Sequence, residues 1–237
     1  MNILLLGATG SIGDSVLSVI EENHSELNLF GITFHKNINK SQEIIKDFKP
    51  EFAYVEDRST FEDQKDTSDI TFLNGDSSLK ELIEHDDVDV IISAISGFAG
   101  LKATYLAAST GKKILLANKE SIVAGGDLIT ARAKKFNSKI IPIDSEHNAI
   151  FQCLSGERSP DDVQKIIITA SGGPFIGKKI SDLKDVTKDD ALNHPNWDMG
   201  SKISIDSATL VNKCLELIEA KYLFDLEESI FDLVIHP

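Results

Sequence analysis

The amino-acid sequence predicts an α/β protein, with a doubly wound parallel sheet over residues 1–143 and a smaller α+β domain over 144–237. Three observations carry this reading. Short apolar runs alternate with amphipathic stretches through the first 143 residues, the pattern of repeated βαβ units. A glycine-rich turn, GATGSIG at residues 7–13, separates the first apolar run from the first amphipathic one. After Ile143 the alternation stops, and a stretch rich in Gly, Pro, Lys and Asp follows.

Strands are expected at 3–6, 29–33, 52–55, 70–73, 88–93, 113–116 and 139–143. Helical periodicity falls between most of them, at 12–22, 41–48, 78–84, 101–109 and 121–136. The acidic segment 56–69 breaks the rhythm and reads as a solvated connection. Beyond it the expected order is a helix at 146–154, a turn at 156–160, a strand at 163–169 and an irregular stretch at 171–200. A long helix then covers 207–223, with Leu210, Cys214, Leu217 and Ile218 expected to pack inward, and a last strand covers 231–235.

Composition narrows the function classes. A net charge of −14 argues against a nucleic-acid or anionic-membrane partner, because no basic stretch offsets it. Cys153 and Cys214 are too few for a disulfide framework, so both read as buried small side chains in a reducing cytosol. The chain enters its first strand at once, without a basic leader, and no apolar run approaches the ~20 residues of a membrane helix. A soluble, cytoplasmic protein is expected.

Gly7, Gly10 and Gly13 follow a strand and open a helix, the context in which glycines let a pyrophosphate approach the backbone and sit on a helix N-terminus. The spacing is GxxGxxG, a variant of the usual pattern. NAD sites place an acid at the end of the second strand, but here the chain reads Thr33-Phe34-His35-Lys36-Asn37. Lys36 and Asn37 suit the 2′-phosphate of NADP, although a surface lysine after a strand is common. A second loop, Ser96-Gly97-Phe98-Ala99-Gly100, and the strand end Leu116-Ala117-Asn118-Lys119-Glu120 lie at the same edge, where such sheets bind ligands. Lys119 can reach a nicotinamide or a substrate hydroxyl, or simply form a helix-end salt bridge.

Asp144 and Glu146 stand two apart after the seventh strand. In an extended backbone they would share a side, and a hard divalent cation such as Mg²⁺ or Mn²⁺ would relieve their repulsion. Most acidic pairs are solvated surface, so the pair needs support from elsewhere. Helical spacing puts Asn212, Lys213 and Glu216 on one face, with Ser207 near the start of the same helix. Serine, asparagine and lysine there suit a phosphate monoester, and Glu216 can complete a three-carboxylate metal site with Asp144 and Glu146. The competing reading is an exposed Lys–Glu pair. Trp197, in an irregular segment, is either a closing lid residue or a hydrophobic anchor, and His194 either a phosphate donor or a loop cap.

The motifs GATGSIG, LLANKES, PIDSEHNAIFQ, SGGPF, HPNWDMGSKISIDSATLVNK and LELIEA occur in that order. Together they make the chain resemble the 1-deoxy-D-xylulose 5-phosphate reductoisomerase family. The resemblance implies a Rossmann-like NADPH-binding domain and an α+β catalytic and connective domain. It implies an oxidoreductase and isomerase that converts 1-deoxy-D-xylulose 5-phosphate to 2-C-methyl-D-erythritol 4-phosphate in non-mevalonate isoprenoid synthesis. Asp144, Glu146 and Glu216 would bind one Mg²⁺ or Mn²⁺. Ser171, Ser207, Asn212, Lys213 and His194 would hold the substrate phosphate, with Trp197 on a covering loop. Gly7, Thr9, Gly10, Ser11, Ile12, Lys36, Asn37, Asn118 and Glu120 would contact NADPH. Ser145 and Lys119 would lie beside the substrate, with Lys119 and the carboxylates assisting proton movement; no general base is assigned.

Three departures from the family pattern stand out: His35 in place of a glycine, Cys214 in place of a small residue, and an end at Pro237 ahead of the family's C-terminal helical domain. The resulting expectation is NADPH binding with weak or no turnover by this chain alone, and a homodimer in the full-length form. The alternatives are a non-catalytic NADP-binding or assembly fragment, and a dehydrogenase for another sugar phosphate.

Overall fold

A computed structural model describes residues 1–64, 70–155, 162–194 and 200–236. The chain divides into two compact units, Met1–Asp144 and Ser145–Pro237.

In the first unit every expected strand is present. They are β1 (Asn2–Leu6), β2 (Asn28–Phe34), β3 (Phe52–Val55), β4 (Thr71–Leu73), β5 (Val90–Ser93), β6 (Lys113–Leu116) and β7 (Lys139–Pro142). All neighbours pair in parallel, in the order β4-β3-β2-β1-β5-β6-β7. The helices are α1 (Ser11–Glu22), α2 (Ile38–Phe48), α3 (Arg58–Gln64), α4 (Asp76–Glu84), α5 (Leu101–Ala107) and α6 (Lys119–Phe136). Ile3, Leu4, Leu5 and Leu6 are all buried, as are all four residues of β5. Strands covered by helices on both faces carry continuous apolar runs rather than alternation. One side of this core joins Leu17 and Ile20 of α1 to Ile3, Leu5, Ile32 and Ile92 of the sheet.

The chain builds outward from β1 to one edge and then returns to β5 on its other side. The C-terminal ends of β1 and β5 are therefore a switch point, where open α/β sheets take their ligands. Gly7 has φ +89°, and a Cβ on it would lie 2.8 Å from the backbone of Ala94 and Ile95. The β1–α1 turn thus rests directly on the chain leaving β5.

The segment 56–69 differs from its expectation, because α3 occupies part of it; residues 65–69 lie outside the described residues. Asp57 starts that helix. Its carboxylate accepts from the Ser59 hydroxyl at 2.5 Å, the Thr60 amide at 3.0 Å and the Thr60 hydroxyl at 3.0 Å. These hydrogen bonds, that of Ser59 foremost, hold its carboxyl far below the usual range.

The second unit contains α7 (Ser145–Leu154), β8 (Ile166–Ala170), α8 (Lys188–Leu192), α9 (Ser201–Ala208), α10 (Val211–Phe224) and β9 (Phe231–Ile235). β8 and β9 pair in parallel from Ile166↔Phe231 to Ala170↔Ile235. The expected turn at 156–160 lies outside the described residues. The single helix expected from 207 to 223 is two helices, because Leu210 adopts a left-handed conformation at φ +60° between α9 and α10. Its expected inner face is also wrong. Leu210 and Ile218 are each 41% exposed and Cys214 is exposed, whereas Lys213, Glu216 and Glu219 are buried. Cys153 is exposed as well, against the expectation of burial. Among the described residues, no helix is long and apolar enough to cross a membrane.

Replacing Gly7 by alanine puts a methyl group against the backbone after β5 at a positive φ. The expected cost is about 1–3 kcal/mol, read as a lower urea midpoint. An unchanged midpoint would show that the turn does not rest on β5.

Candidate active site

In the first unit, the candidate residues collect at the C-terminal edge of the sheet. Gly10 precedes α1, and no side-chain hydrogen bond caps that helix. A Cβ on Gly13 would collide with the backbone of Ala8, so the helix starts pressed against the turn. Thr9 is half-buried, and Ser11 and Ile12 are exposed in the first turn of α1. Glycine at 7 and 13 thus lets the turn pack against the chain after β5 and lets α1 start against the turn.

Asn37 caps α2 by accepting from the Lys40 amide at 3.3 Å. The absence of an acid at the end of β2 holds for the sequence but not for the space around it. Asp57, brought from the turn after β3, lies 3.3 Å from the Lys36 ammonium. Sequence spacing gave no signal for this acid, which arrives because β3 pairs next to β2.

Asn118 is buried and serves as a hub. Its oxygen accepts from the Ser121 amide at 2.7 Å, while its amide donates to Ile95 O, to Gly97 O at 2.8 Å and to Glu120 Oε2 at 3.4 Å. It therefore caps α6 and fixes the loop after β5 with one side chain. Lys119 is buried beside it, its ammonium 3.3 Å from Asp144 Oδ2.

The carboxylates Asp144 and Glu146 do not share an extended strand. β7 ends at Pro142 and α7 begins at Ser145, so Glu146 lies in the first turn of a helix. The alternation used to bring them to one side does not apply across this junction.

Within the second unit, Glu146 meets the charged face of α10. The Lys213 ammonium donates to Glu146 Oε1 at 2.5 Å and to Glu216 Oε2 at 2.6 Å. The remaining oxygens are also engaged, with Ser145 Oγ donating to Glu146 Oε2 at 2.6 Å and Asn212 Nδ2 to Glu216 Oε1 at 2.5 Å. Burial pushes the Glu146 carboxyl up, but the hydrogen bonds from Lys213 and Ser145 and the Lys213 charge outweigh it and hold it below its usual range. Two carboxylates thus converge on one cation with an oxygen from each. Oxygen donors of this kind suit a hard divalent metal, so the residues present fit one.

The phosphate candidates also gather in this unit. Ser171 Oγ lies 3.1 Å from His194 Nε2. A Cβ on Gly173, at φ +67°, would lie 2.9 Å from the Ser207 carbonyl, so the loop carrying Ser171 lies directly on the end of α9. Ser207 lies near the C-terminus of α9 rather than at the start of a long helix, and Asn212 and Lys213 occupy the first turn of α10. Trp197 lies outside the described residues.

Sequence reasoning missed His147 and Glu219. Both are buried, His147 Nδ1 lies 3.0 Å from Glu219 Oε2, and Nε2 lies 2.8 Å from the Glu216 carbonyl. A carbonyl only accepts, so Nε2 carries a hydrogen. The pair clamps α7 to α10 at the turn that carries Glu216. The signal was available: Glu219 follows Glu216 by three residues on the same helical face.

The first unit defines a class of protein, a Rossmann-type α/β chain, here followed by a unit built around buried carboxylates and a lysine. The model of the 1-deoxy-D-xylulose 5-phosphate reductoisomerase family matches residues 3–126, and that of the family's C-terminal domain matches residues 140–224. The reductoisomerase of Francisella tularensis subsp. novicida is 49% identical over 99% of this chain and 62% of its own length. That of Vesicomyosocius okutanii is 45% identical over 100% of this chain and 62% of its own. A crystal structure of DOX-P reductoisomerase in complex with NADPH, fosmidomycin and magnesium superposes with a TM-score of 0.94 at 43% identity, over 100% of this chain and 61% of that one. The Zymomonas mobilis enzyme in complex with NADPH gives 0.89 at 40% identity, over 100% of this chain and 61% of its own. The chain belongs to the 1-deoxy-D-xylulose 5-phosphate reductoisomerase family and spans about three fifths of the length of these relatives.

Glu219→Ala leaves a buried histidine without its carboxylate and is expected to cost about 3–5 kcal/mol. Glu219→Gln keeps a polar side chain of the same size beside Nδ1 and is expected to cost less than half of that. Thermal unfolding of both variants checks the clamp, and equal losses would rule it out.

Proposed function

We propose that this chain carries the machinery for NADPH- and divalent-metal-dependent isomerisation and reduction of 1-deoxy-D-xylulose 5-phosphate to 2-C-methyl-D-erythritol 4-phosphate. The observation that carries this reading is the convergence of Glu146 and Glu216 on one buried cation, in a member of this family. Relatives crystallised with NADPH and with magnesium supply the cofactors proposed here.

Residues 1–143 would form the NADPH-binding domain and residues 144–237 the catalytic domain. Gly7, Thr9, Gly10, Ser11 and Ile12 would receive the pyrophosphate at the start of α1, with Lys36 and Asn37 toward the 2′-phosphate and Asn118 and Glu120 beside the nicotinamide half. Asp144, two residues from Glu146 in the chain, would join Glu146 and Glu216 in holding Mg²⁺ or Mn²⁺. When bound, the metal supplies Lewis-acid polarisation of the substrate's carbonyl and hydroxyl oxygens, and NADPH supplies the hydride. Ser171, His194, Ser207, Asn212 and Lys213 would fix the phosphate and so orient the carbon skeleton, worth several kcal/mol of barrier through positioning. Trp197 would cover the bound substrate and exclude water. Lys119, held on Asp144 at 3.3 Å, offers a positive charge and a proton donor next to the substrate, with Ser145 beside it. The exposed thiols of Cys153 and Cys214 accord with a reducing cytoplasm, and the resemblance carries a homodimer for the full-length form.

The test is NADPH oxidation followed by absorbance, with 1-deoxy-D-xylulose 5-phosphate and Mg²⁺. Metal-dependent oxidation by this chain alone is expected to be weak, far below that of a full-length relative, and Glu216→Gln should abolish it while leaving NADPH affinity unchanged. NADPH binding with no oxidation by the unmutated chain would favour the alternative, a nucleotide-binding module without catalysis.

A further inference from the structure

Lys213 has two claims on it. It stands among the phosphate candidates in the first turn of α10, yet its ammonium lies between the two carboxylates proposed to hold the metal. Its side chain is 9% exposed, so water does little to screen these contacts. All four oxygens of Glu146 and Glu216 already accept a hydrogen bond, two of them from Lys213 and one each from Ser145 and Asn212. A divalent cation on these carboxylates would meet an ammonium at the same oxygens, and like charges at such a distance in a buried site repel strongly. The metal and the ammonium therefore exclude one another.

We propose that Lys213 is an exchangeable counter-ion that couples metal binding to phosphate binding. Without ligands it neutralises the half-buried Glu146 and the buried Glu216 together. A metal ion takes its place and releases the ammonium. An anion held by the phosphate candidates, Asn212 among them, then accepts it. The linkage works equally in reverse, because a phosphate that draws the ammonium away vacates the carboxylates. Each ligand tightens the other. This rests on the metal reading proposed above.

Calorimetric titration of Mg²⁺ into the chain, with and without inorganic phosphate, tests the coupling. Phosphate should tighten Mg²⁺ binding by about five-fold or more, the range typical of coupled sites. Lys213→Met, and the more polar Lys213→Gln as a second variant, should bind Mg²⁺ about ten-fold tighter without phosphate and lose the response to phosphate. Circular dichroism establishes that each variant is folded. Variants that bind Mg²⁺ no tighter than the unmutated chain, or that keep its phosphate response, overturn the proposal. So does an unmutated chain whose Mg²⁺ affinity ignores phosphate, a result that needs no variant. Mg²⁺ binding unaffected by Glu216→Gln would instead refute the metal reading on which the coupling stands.

Discussion

The second unit is organised by one ammonium shared between two carboxylates. Placing the half-buried Glu146 beside the buried Glu216 without a cation would be costly, and Lys213 offsets that cost with short hydrogen bonds to both. The same constraint accounts for the unusual arrangement of α10. Its charged face, from Lys213 through Glu216 to Glu219, is buried, while Leu210 and Ile218 are substantially exposed. A helix placed by its apolar stripe would have turned the other way. Here charge pairing and the His147–Glu219 clamp set its rotation.

The first unit depends on a different constraint, the steric one. Glycine at positions 7 and 13 lets the turn after β1 lie against the chain leaving β5 and lets α1 start against the backbone of Ala8. Asn118 does the complementary work on the other side of the switch point, tying the loop after β5 to the start of α6. One polar side chain with three or four well-placed partners is rigid where a loop alone would not be.

The two units differ in how much of them was legible beforehand. Strand and helix positions in the first unit follow from periodicity, because apolar runs and amphipathic stretches report burial residue by residue. Periodicity misled in the second unit for a physical reason. Leu210, Cys214, Leu217 and Ile218 look like a core stripe, but a helix that buries a charge cluster does not obey hydrophobic patterning. The strand–helix junction between Pro142 and Ser145 was hidden in the same way, since proline and a polar run fit either an extending strand or a turn.

By itself the sequence determined the strands and most helices of the first unit and the glycine turn, which local patterning reports, and the strand–helix alternation that implies a parallel sheet. It also supplied the chemical groups of the site and their family resemblance. Only the tertiary structure decided which of those groups meet. Lys213 reaches Glu146 across 67 residues, Asp57 supplies Lys36 with an acid absent from β2, and His147 finds Glu219 inside the second unit. Such pairings depend on how helices and strands rotate against each other, and side-chain charge, more than local pattern, sets that rotation where the site is buried.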